Sequence, residues 1–396
     1  MNFIQLSTAL ALRAGLSLLV MGTLACGGSH SAQSPADSTI QFVYTSDAHY
    51  GITRSSFQGG TAVNAQVVNA AMMARINALP TTVLPNDGGL RAGQAVGAVD
   101  FLAMTGDISN RQETGIQSAS ASWAQFKADY LDGLTLKDKS GKTSTIYLAP
   151  GNHDVSNAIG YYKAMTPLTD PTCMVEIYNR MMSPATPRTV ATYTYTNDKV
   201  NYSKDLGGVH FLFVNMWPDT GIRAWMDNDL KNVTATTPVV LFTHDQPEVE
   251  SKHFTNPNGT HDINGTDKFE NLLVDQLADG TTTAAPSTLE QTAFVTWLKA
   301  HKNVVAYFHG NDNENKFRDY KGPAGDIVLP VFQVDSPMKG NVSGPDQTKL
   351  SFQVVTIDTG RKQLTVRECL WNPTSTNGAP VAWGSVRTID LAPRAN

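Results

Sequence analysis

The chain has 396 residues, room for one large domain or two average ones, and 41% apolar residues can fill a substantial core. A formal net charge of −5, with no run of like charges, gives no electrostatic reason to expect a nucleic-acid partner. With three cysteines in the chain and two beyond residue 26, a cysteine-rich zinc site is excluded; any metal must use His, Asp or Asn.

Residues 14–25 form an uncharged, mostly apolar run preceded by Arg13, too short for a membrane span and suited to the h-region of an export signal. Thr23-Leu24-Ala25-Cys26-Gly27-Gly28 resembles a bacterial lipobox with Cys26 as the lipidated residue; Thr23 stands where Leu is usual, so plain cleavage stays open. The expected division is a signal peptide over 1–25, a flexible tether over 26–38 and one domain over 39–396. Export is therefore expected, to the periplasm, to a membrane anchor at Cys26 or to the medium. It permits disulfides, and Cys173 and Cys369 are open to either pairing or staying as buried thiols.

Residues 39–45 alternate and are β-prone, a first core strand that ends in Ser46-Asp47-Ala48-His49. Asp47 and His49, two apart in extended chain, point to one side and can share a metal ion. Residues 63–79 read as a helix with Val67, Ala71, Ile76 and Leu79 near one face, stopped by Pro80. Met72 and Met73 read as packing residues, and 81–98 as loop. A second core strand over 99–105 runs into Gly106-Asp107, followed by a helix over 113–131 with Trp123, Phe126 and Tyr130 at core spacing.

A third strand over 144–148 is broken by Pro150-Gly151 and delivers Asn152-His153-Asp154, an amide, an imidazole and a carboxylate in a row. Residues 173–182 suggest a short helix and 192–196 a strand; 201–205 and 209–215 read as a hairpin joined by Gly207-Gly208, with His210 packed or on the surface. After a helix over 222–230, a fourth core strand over 237–243 ends at His244. Residues 248–286 read as a long loop with a short helix around 269–277, and 288–302 as a helix burying Phe294, Trp297 and Leu298. A fifth core strand over 303–308 ends in His309-Gly310-Asn311-Asp312-Asn313, and strands are expected at 328–334, 351–358, 363–370 and 381–391.

Ligand-type side chains thus recur at the ends of five strands: Asp47/His49, Asp107, Asn152/His153, His244 and the 309–313 loop. Such an oxygen- and nitrogen-rich set, with one carboxylate free to bridge, suits two borderline divalent ions about 3.5–4 Å apart that share a hydroxide.

With these motifs the chain resembles the calcineurin-like metallophosphoesterases, whose pattern runs D-x-H, G-D, G-N-H-D/E, H and G-H-x-H. Here it reads Asp47-Ala48-His49, Gly106-Asp107, Gly151-Asn152-His153-Asp154, His244 and Gly310-Asn311-Asp312-Asn313, over about residues 39–335. The resemblance implies an α/β fold, a four-layer α-β-β-α sandwich with two mixed β-sheets. It also implies metal-dependent hydrolysis of small-molecule phosphate mono- or diesters with two divalent ions, Mn, Zn or Fe. Asp47, His49 and Asp107 would hold one ion; Asp107 would bridge to a second, bound also by Asn152 and His244. His153 would stabilise the phosphoryl oxygens or protonate the leaving group, with Asp154 orienting it. Asn110 and Arg111 lie where the family often contacts phosphate, a structural role for Arg111 being the alternative.

The last motif departs from the pattern. Asn311 and Asn313 replace two histidines, and an amide is a weaker donor than imidazole to zinc- or manganese-type ions. Asp312 or His309 could compensate if the loop shifts, the alternative for His309 being a strand-end residue outside the metal shell. The rival reading is a catalytically weak or inactive pseudoenzyme lipoprotein that binds a phosphorylated ligand or protein partner. Asn110, three residues after Asp107, occupies the position where purple acid phosphatases carry Tyr, so a tyrosinate–iron site is not expected.

Overall fold

A computed structural model of the protein describes residues 38–110, 117–155, 170–255, 270–277 and 288–395. The export segment with Cys26, the tether as far as residue 37, and Arg111 lie outside the described residues. Ser38–Asn396 clusters as one unit. Its elements in chain order are β1 (Thr39–Thr45), β2 (Thr53–Phe57), β3 (Gly60–Asn64), α1 (Ala65–Asn77), β4 (Phe101–Met104), α2 (Ala119–Phe126), β5 (Thr145–Leu148), α3 (Thr172–Met182), β6 (Tyr202–Leu206), β7 (Val209–Phe213), α4 (Thr220–Leu230), β8 (Val239–Phe242), α5 (Thr288–Ala300), β9 (Val304–His309), β10 (Lys316–Tyr320), β11 (Leu329–Gln333), β12 (Ser351–Asp358), β13 (Gln363–Leu370) and β14 (Ala382–Asp390). Among the described residues no helix is long and apolar enough to cross a membrane.

The architecture is mixed α/β, with two six-stranded mixed sheets and a small β2–β3 ribbon. The first sheet runs β14-β13-β12-β1-β4-β5 and the second β10-β11-β9-β8-β7-β6. In the first, β1, β4 and β5 are parallel and in step: Thr45 pairs with Met104, and Met104 with Leu148. Three chain segments therefore leave this sheet side by side at the carboxyl ends of its strands. In the second, β7, β8 and β9 are parallel, with Phe213, Phe242 and Phe308 level with one another. Continuous apolar runs suit strands buried on both faces, and β1, β4, β7, β8 and β9 are buried almost throughout.

Aromatic rings join the sheets. Phe42 on β1 meets Phe211, Phe242 and Phe308 of the second sheet at 6.1, 5.8 and 5.8 Å between centroids. Tyr44, nearer the end of β1, meets Phe242 at 5.7 Å and Phe308 at 5.2 Å. Truncating a ring such as Phe42 to Ala is expected to cost about 3–5 kcal/mol. Because Tyr44 and Phe242 both lie near the carboxyl ends of their strands, the rings bring those ends of the two sheets together. The period of two then serves a second interface: Phe308 faces Phe42, while Tyr307 turns to Phe294 of α5 at 6.1 Å.

Several expectations are corrected. The buried side of α1 is Ala65, Val68, Asn69, Met72, Met73 and Ile76, and Val67 is exposed, because Val68, Met72 and Ile76, four apart, make the apolar stripe that faces the core. Residues 192–196 form turns, since Thr194 N–H and the carboxyl of Asp198 close a local loop in place of a ladder. The described part of 269–277 is not helical; Leu272 and Leu273 donate their N–H groups to the His253 carbonyl instead. Helix α2 gives way at Phe126 to a wider π turn over Lys127–Asp132, which still buries Tyr130. The β2–β3 ribbon and β10, polar and short, are further strands that no sequence pattern marked. Cys173 and Cys369 are free and buried. His210 is buried, with Nδ1 2.8 Å from Asp205 and Nε2 2.7 Å from Asp229.

Candidate metal centre

The loops after β1, β4 and β5 meet beyond the carboxyl ends of these parallel strands. Asp47 N–H donates to the Gly106 carbonyl and His49 N–H to the Asp107 carbonyl, both at 2.9 Å, locking the first two motifs together. Gly106 has φ +94° and sits so close to the Gly151 backbone that a Cβ there would collide with it. Here glycine is required by both torsion and space. Asp47, His49, Asp107, Asn311 and Asn313 also have positive φ, between 45° and 63°. L residues seldom adopt this region, and such conformations concentrate where surrounding structure holds side chains for function.

Asp107 is the centre. Its Oδ2 lies 3.7 Å from His49 Nε2 and 3.8 Å from His153 Nε2, and its Oδ1 lies 3.4 Å from His244 Nε2. The two oxygens therefore serve different neighbours. Oδ1 also accepts the His153 backbone N–H at 2.8 Å, which pins the third motif to the second. Asp47 Oδ1 stands 3.5 Å from His49 Nε2. On the far side, Asn152 Oδ1 is 3.1 Å from His244 Nε2, while His244 Nδ1 donates to the Thr105 carbonyl at 2.6 Å. That bond directs Nε2 inward. Two overlapping groups, His49/Asp107/His153 and Asp47/Asp107/His244, each place one donor atom per residue within 4.8 Å of the others.

Burial alone would raise the Asp107 carboxyl, but His244, His153 and His49 around it hold it well below the usual carboxylate range. Burial works against a charged His244, yet Asp107 outweighs it and lifts the imidazole well above its ordinary value. A proton on His244 thus answers the carboxylate charge where a cation could. His49 goes the other way: burial first, then the charge of Lys339, lower it. That direction favours the neutral imidazole, the form that ligates metal.

The residues fit divalent ions by an independent sign. Asp47 Oδ1 and His49 Nε2 are buried without a hydrogen-bond partner and face each other, as donors to a shared cation do. An unsatisfied buried polar atom costs about 1–3 kcal/mol, so such a pair needs an explanation. Imidazole nitrogen, carboxylate oxygen and amide oxygen together suit Mn, Fe or Zn.

The remaining sequence candidates fall around this core. Asp154 acts on backbone: its oxygens accept from the N–H groups of Ile108, Ser109 and Gly151 at 2.9, 3.1 and 2.9 Å, so it holds the turn that carries His153 rather than bonding the ring. Burial, then the charge of Asp107, push its carboxyl up to about 7. Asn110 is buried with an unbonded Oδ1. Asn311 donates its backbone N–H to Asp47 Oδ2 at 3.0 Å, but its side-chain nitrogen goes to Gln246 and Glu250 at 3.2 and 2.9 Å. Asn313 donates to the Asn311 carbonyl at 2.6 Å and leaves Oδ1 buried and unbonded. Neither His309 nor Asp312 joins the two donor groups. His309 is fully buried, with Nδ1 2.9 Å from the Gly310 carbonyl, and burial drives it down to about 3. Asp312 is lifted to about 6 by burial, then by Glu250 and Asp245.

Three residues near the site carried no sequence signal. Glu270, His253 and Lys339 stand in segments without a motif, and only folding brings Glu270 to Asn152, 118 positions away.

The sequence profile of the calcineurin-like phosphoesterases matches residues 40–279, and the chain belongs to that family. No curated protein matches it. Among solved structures it is similar to a dimetal phosphatase from Danio rerio, at 10% identity and a TM-score of 0.46, over 89% of this chain and 99% of that one. It is also similar to Vps29 of Entamoeba histolytica complexed with zinc, at 9% identity and a TM-score of 0.31, over 89% and 99% of the two chains. The calcineurin-like phosphoesterase YfkN from Bacillus subtilis is similar at 10% identity and a TM-score of 0.29, over 89% and 91%.

Proposed function

We propose that the protein is an exported hydrolase of small-molecule phosphate mono- or diesters, working with two divalent ions, Mn, Zn or Fe. The observation that carries this reading is the Asp107 carboxylate, whose two oxygens face His49 and His244 separately. Asp47, His49 and Asp107 would hold one ion, and Asp107, Asn152 and His244 the other. Two such cations supply Lewis acidity and lower the pKa of a water towards neutrality. His153, with its side chain 11% exposed, is the one imidazole of the cluster open to an incoming substrate. It would donate to the phosphoryl oxygens or protonate the leaving group. Asp154 keeps it in place through the backbone turn. The apolar run before Cys26 supports export, with a lipid anchor at Cys26 as the link to a membrane.

The test is hydrolysis of an aryl phosphate monoester and diester by the purified mature chain with Mn²⁺, Zn²⁺ or Fe²⁺. Asp107→Ala and Asn152→Ala should each abolish turnover; activity persisting in both overturns the assignment. A second reading, a pseudoenzyme that binds a phosphorylated ligand, is favoured by the Asn311 side chain, whose amide nitrogen is tied to Gln246 and Glu250. Elemental analysis separates the two. About two ions per chain supports the hydrolase, and a metal-free chain that still binds a phosphorylated ligand supports the rival.

A further inference from the structure

We infer that Glu270 is a positioning residue for the metal centre: it fixes which end of the Asn152 amide faces His244 and Asp107. The inference rests on the hydrolase reading above.

An asparagine amide has one end that can ligate a cation and one that cannot, and the two differ by a half-turn about the last side-chain bond. Here Asn152 is held from both sides. Its Oδ1 lies 3.1 Å from His244 Nε2, and its Nδ2 donates to Glu270 Oε2 at 3.2 Å. As a carboxylate, Glu270 only accepts hydrogen bonds, and in that form it takes only the NH₂ end. The carbonyl oxygen is then left towards the ion side. A neutral Gln would satisfy either orientation and select neither.

His253 Nδ1 lies 2.6 Å from Asp245 Oδ2, and its Nε2 faces the same Glu270 Oε2 at 3.8 Å, too far for a hydrogen bond. Asp245, His253, Glu270 and Asn152 are all 0–1% exposed. One side of the centre is thus braced at two side chains: the Thr105 carbonyl accepts from His244, and Glu270 accepts from Asn152. The backbone supports the arrangement. Glu270 N–H donates to the Lys252 carbonyl at 2.6 Å, and Leu272 and Leu273 donate to the His253 carbonyl at 2.8 and 2.9 Å. A buried carboxylate at hydrogen-bond distance from a ligand-type amide is how residues one step from a metal set donor orientation.

The experiment is calorimetric titration of the metal-free chain with Mn²⁺, paired with electron paramagnetic resonance of the loaded protein. Wild type should take two ions with a spin-coupled signal. Glu270→Gln should keep one ion at unchanged affinity and weaken the other about 10–100-fold, with loss of the coupled signal at two equivalents. The metal-free melting midpoint should stay close to that of wild type. Glu270→Met, apolar and of similar length, should show the same selective loss. Two ions bound at wild-type affinity by Glu270→Gln would overturn the inference and leave the hydrolase reading standing. Failure of both variants to fold without metal would mark Glu270 as a folding residue and overturn it too. A wild-type chain that binds no ion would overturn the hydrolase reading, and this inference with it.

Discussion

His49 Nε2 and Asp47 Oδ1 stand 3.5 Å apart, both fully buried and both without a hydrogen-bond partner. Folding that hides two such atoms against each other is unfavourable unless a cation joins them. Divalent metal should therefore stabilise the fold. At a hundredfold excess over its dissociation constant, an ion that binds only the folded chain contributes about 2.7 kcal/mol. Thermal melts with Mn²⁺ and with chelator should differ by several degrees, and His49→Ala should remove most of that difference.

Asp107 is split between two sets of neighbours, His49 and His153 at one oxygen and His244 at the other. Asp107→Asn keeps the shape and removes the charge that His244 answers. The loss of metal affinity should exceed the roughly 10–100-fold typical of residues that only support a ligand. It should fall on both ions, whereas Asn152→Ala should weaken one. Titration calorimetry distinguishes the two patterns.

Asn311 and Asn313 offer a sharper test of competence than any deletion. Burial would raise the Glu250 carboxyl, but Lys252 and His253 bring it down to about 2, so it is a charged acceptor for the Asn311 amide at neutral pH. Asn311→His with Asn313→His restores the family pattern. If the native centre is competent, turnover of an aryl phosphate should change by less than about tenfold, within the range of supporting residues. A gain of a hundredfold or more would identify the native site as degenerate.

Away from the site, Arg367 is 1% exposed and grips Asp87 through two bonds, of 2.7 and 2.8 Å. That hydrogen bonding holds the Asp87 carboxyl below its ordinary value. The sign follows from linkage. The pair's contribution is fully present above the unfolded carboxyl's pKa of about 3.9 and is lost as pH falls through the depressed folded value. Asp87→Ala strands a buried guanidinium and should cost about 3–5 kcal/mol at neutral pH. Urea melts from pH 6 down to pH 2 should show the wild-type advantage shrinking in the acid range.

Much of this protein was legible in the chain because the core strands are local in character. Residues 39–45, 303–308 and 351–358 are β-branched and apolar, and each forms a strand. Strand-end motifs were legible for a related reason: Gly106 and the Pro150-Gly151 break mark where the backbone turns and side chains become available. Less visible were elements whose stability comes from elsewhere. Strand β10 is polar and exists because β11 pairs with it, and α1 offers two competing stripes, of which the one through Val68, Met72 and Ile76 is buried and Val67 is left exposed.

Residue type and order alone determined which atoms were available for chemistry: imidazoles, carboxylates and amides at successive strand ends, with asparagine where two histidines were expected. Their division into neighbours of one Asp107 oxygen or the other was decided only in three dimensions. Parallel register brings Thr45, Met104 and Leu148 level, and aromatic packing carries His244 in from the second sheet. Glu270 shows the limit most clearly. A carboxylate without a motif becomes a neighbour of Asn152 only because backbone bonds to residues 252 and 253 place it there, and such distant contacts leave no local pattern to read.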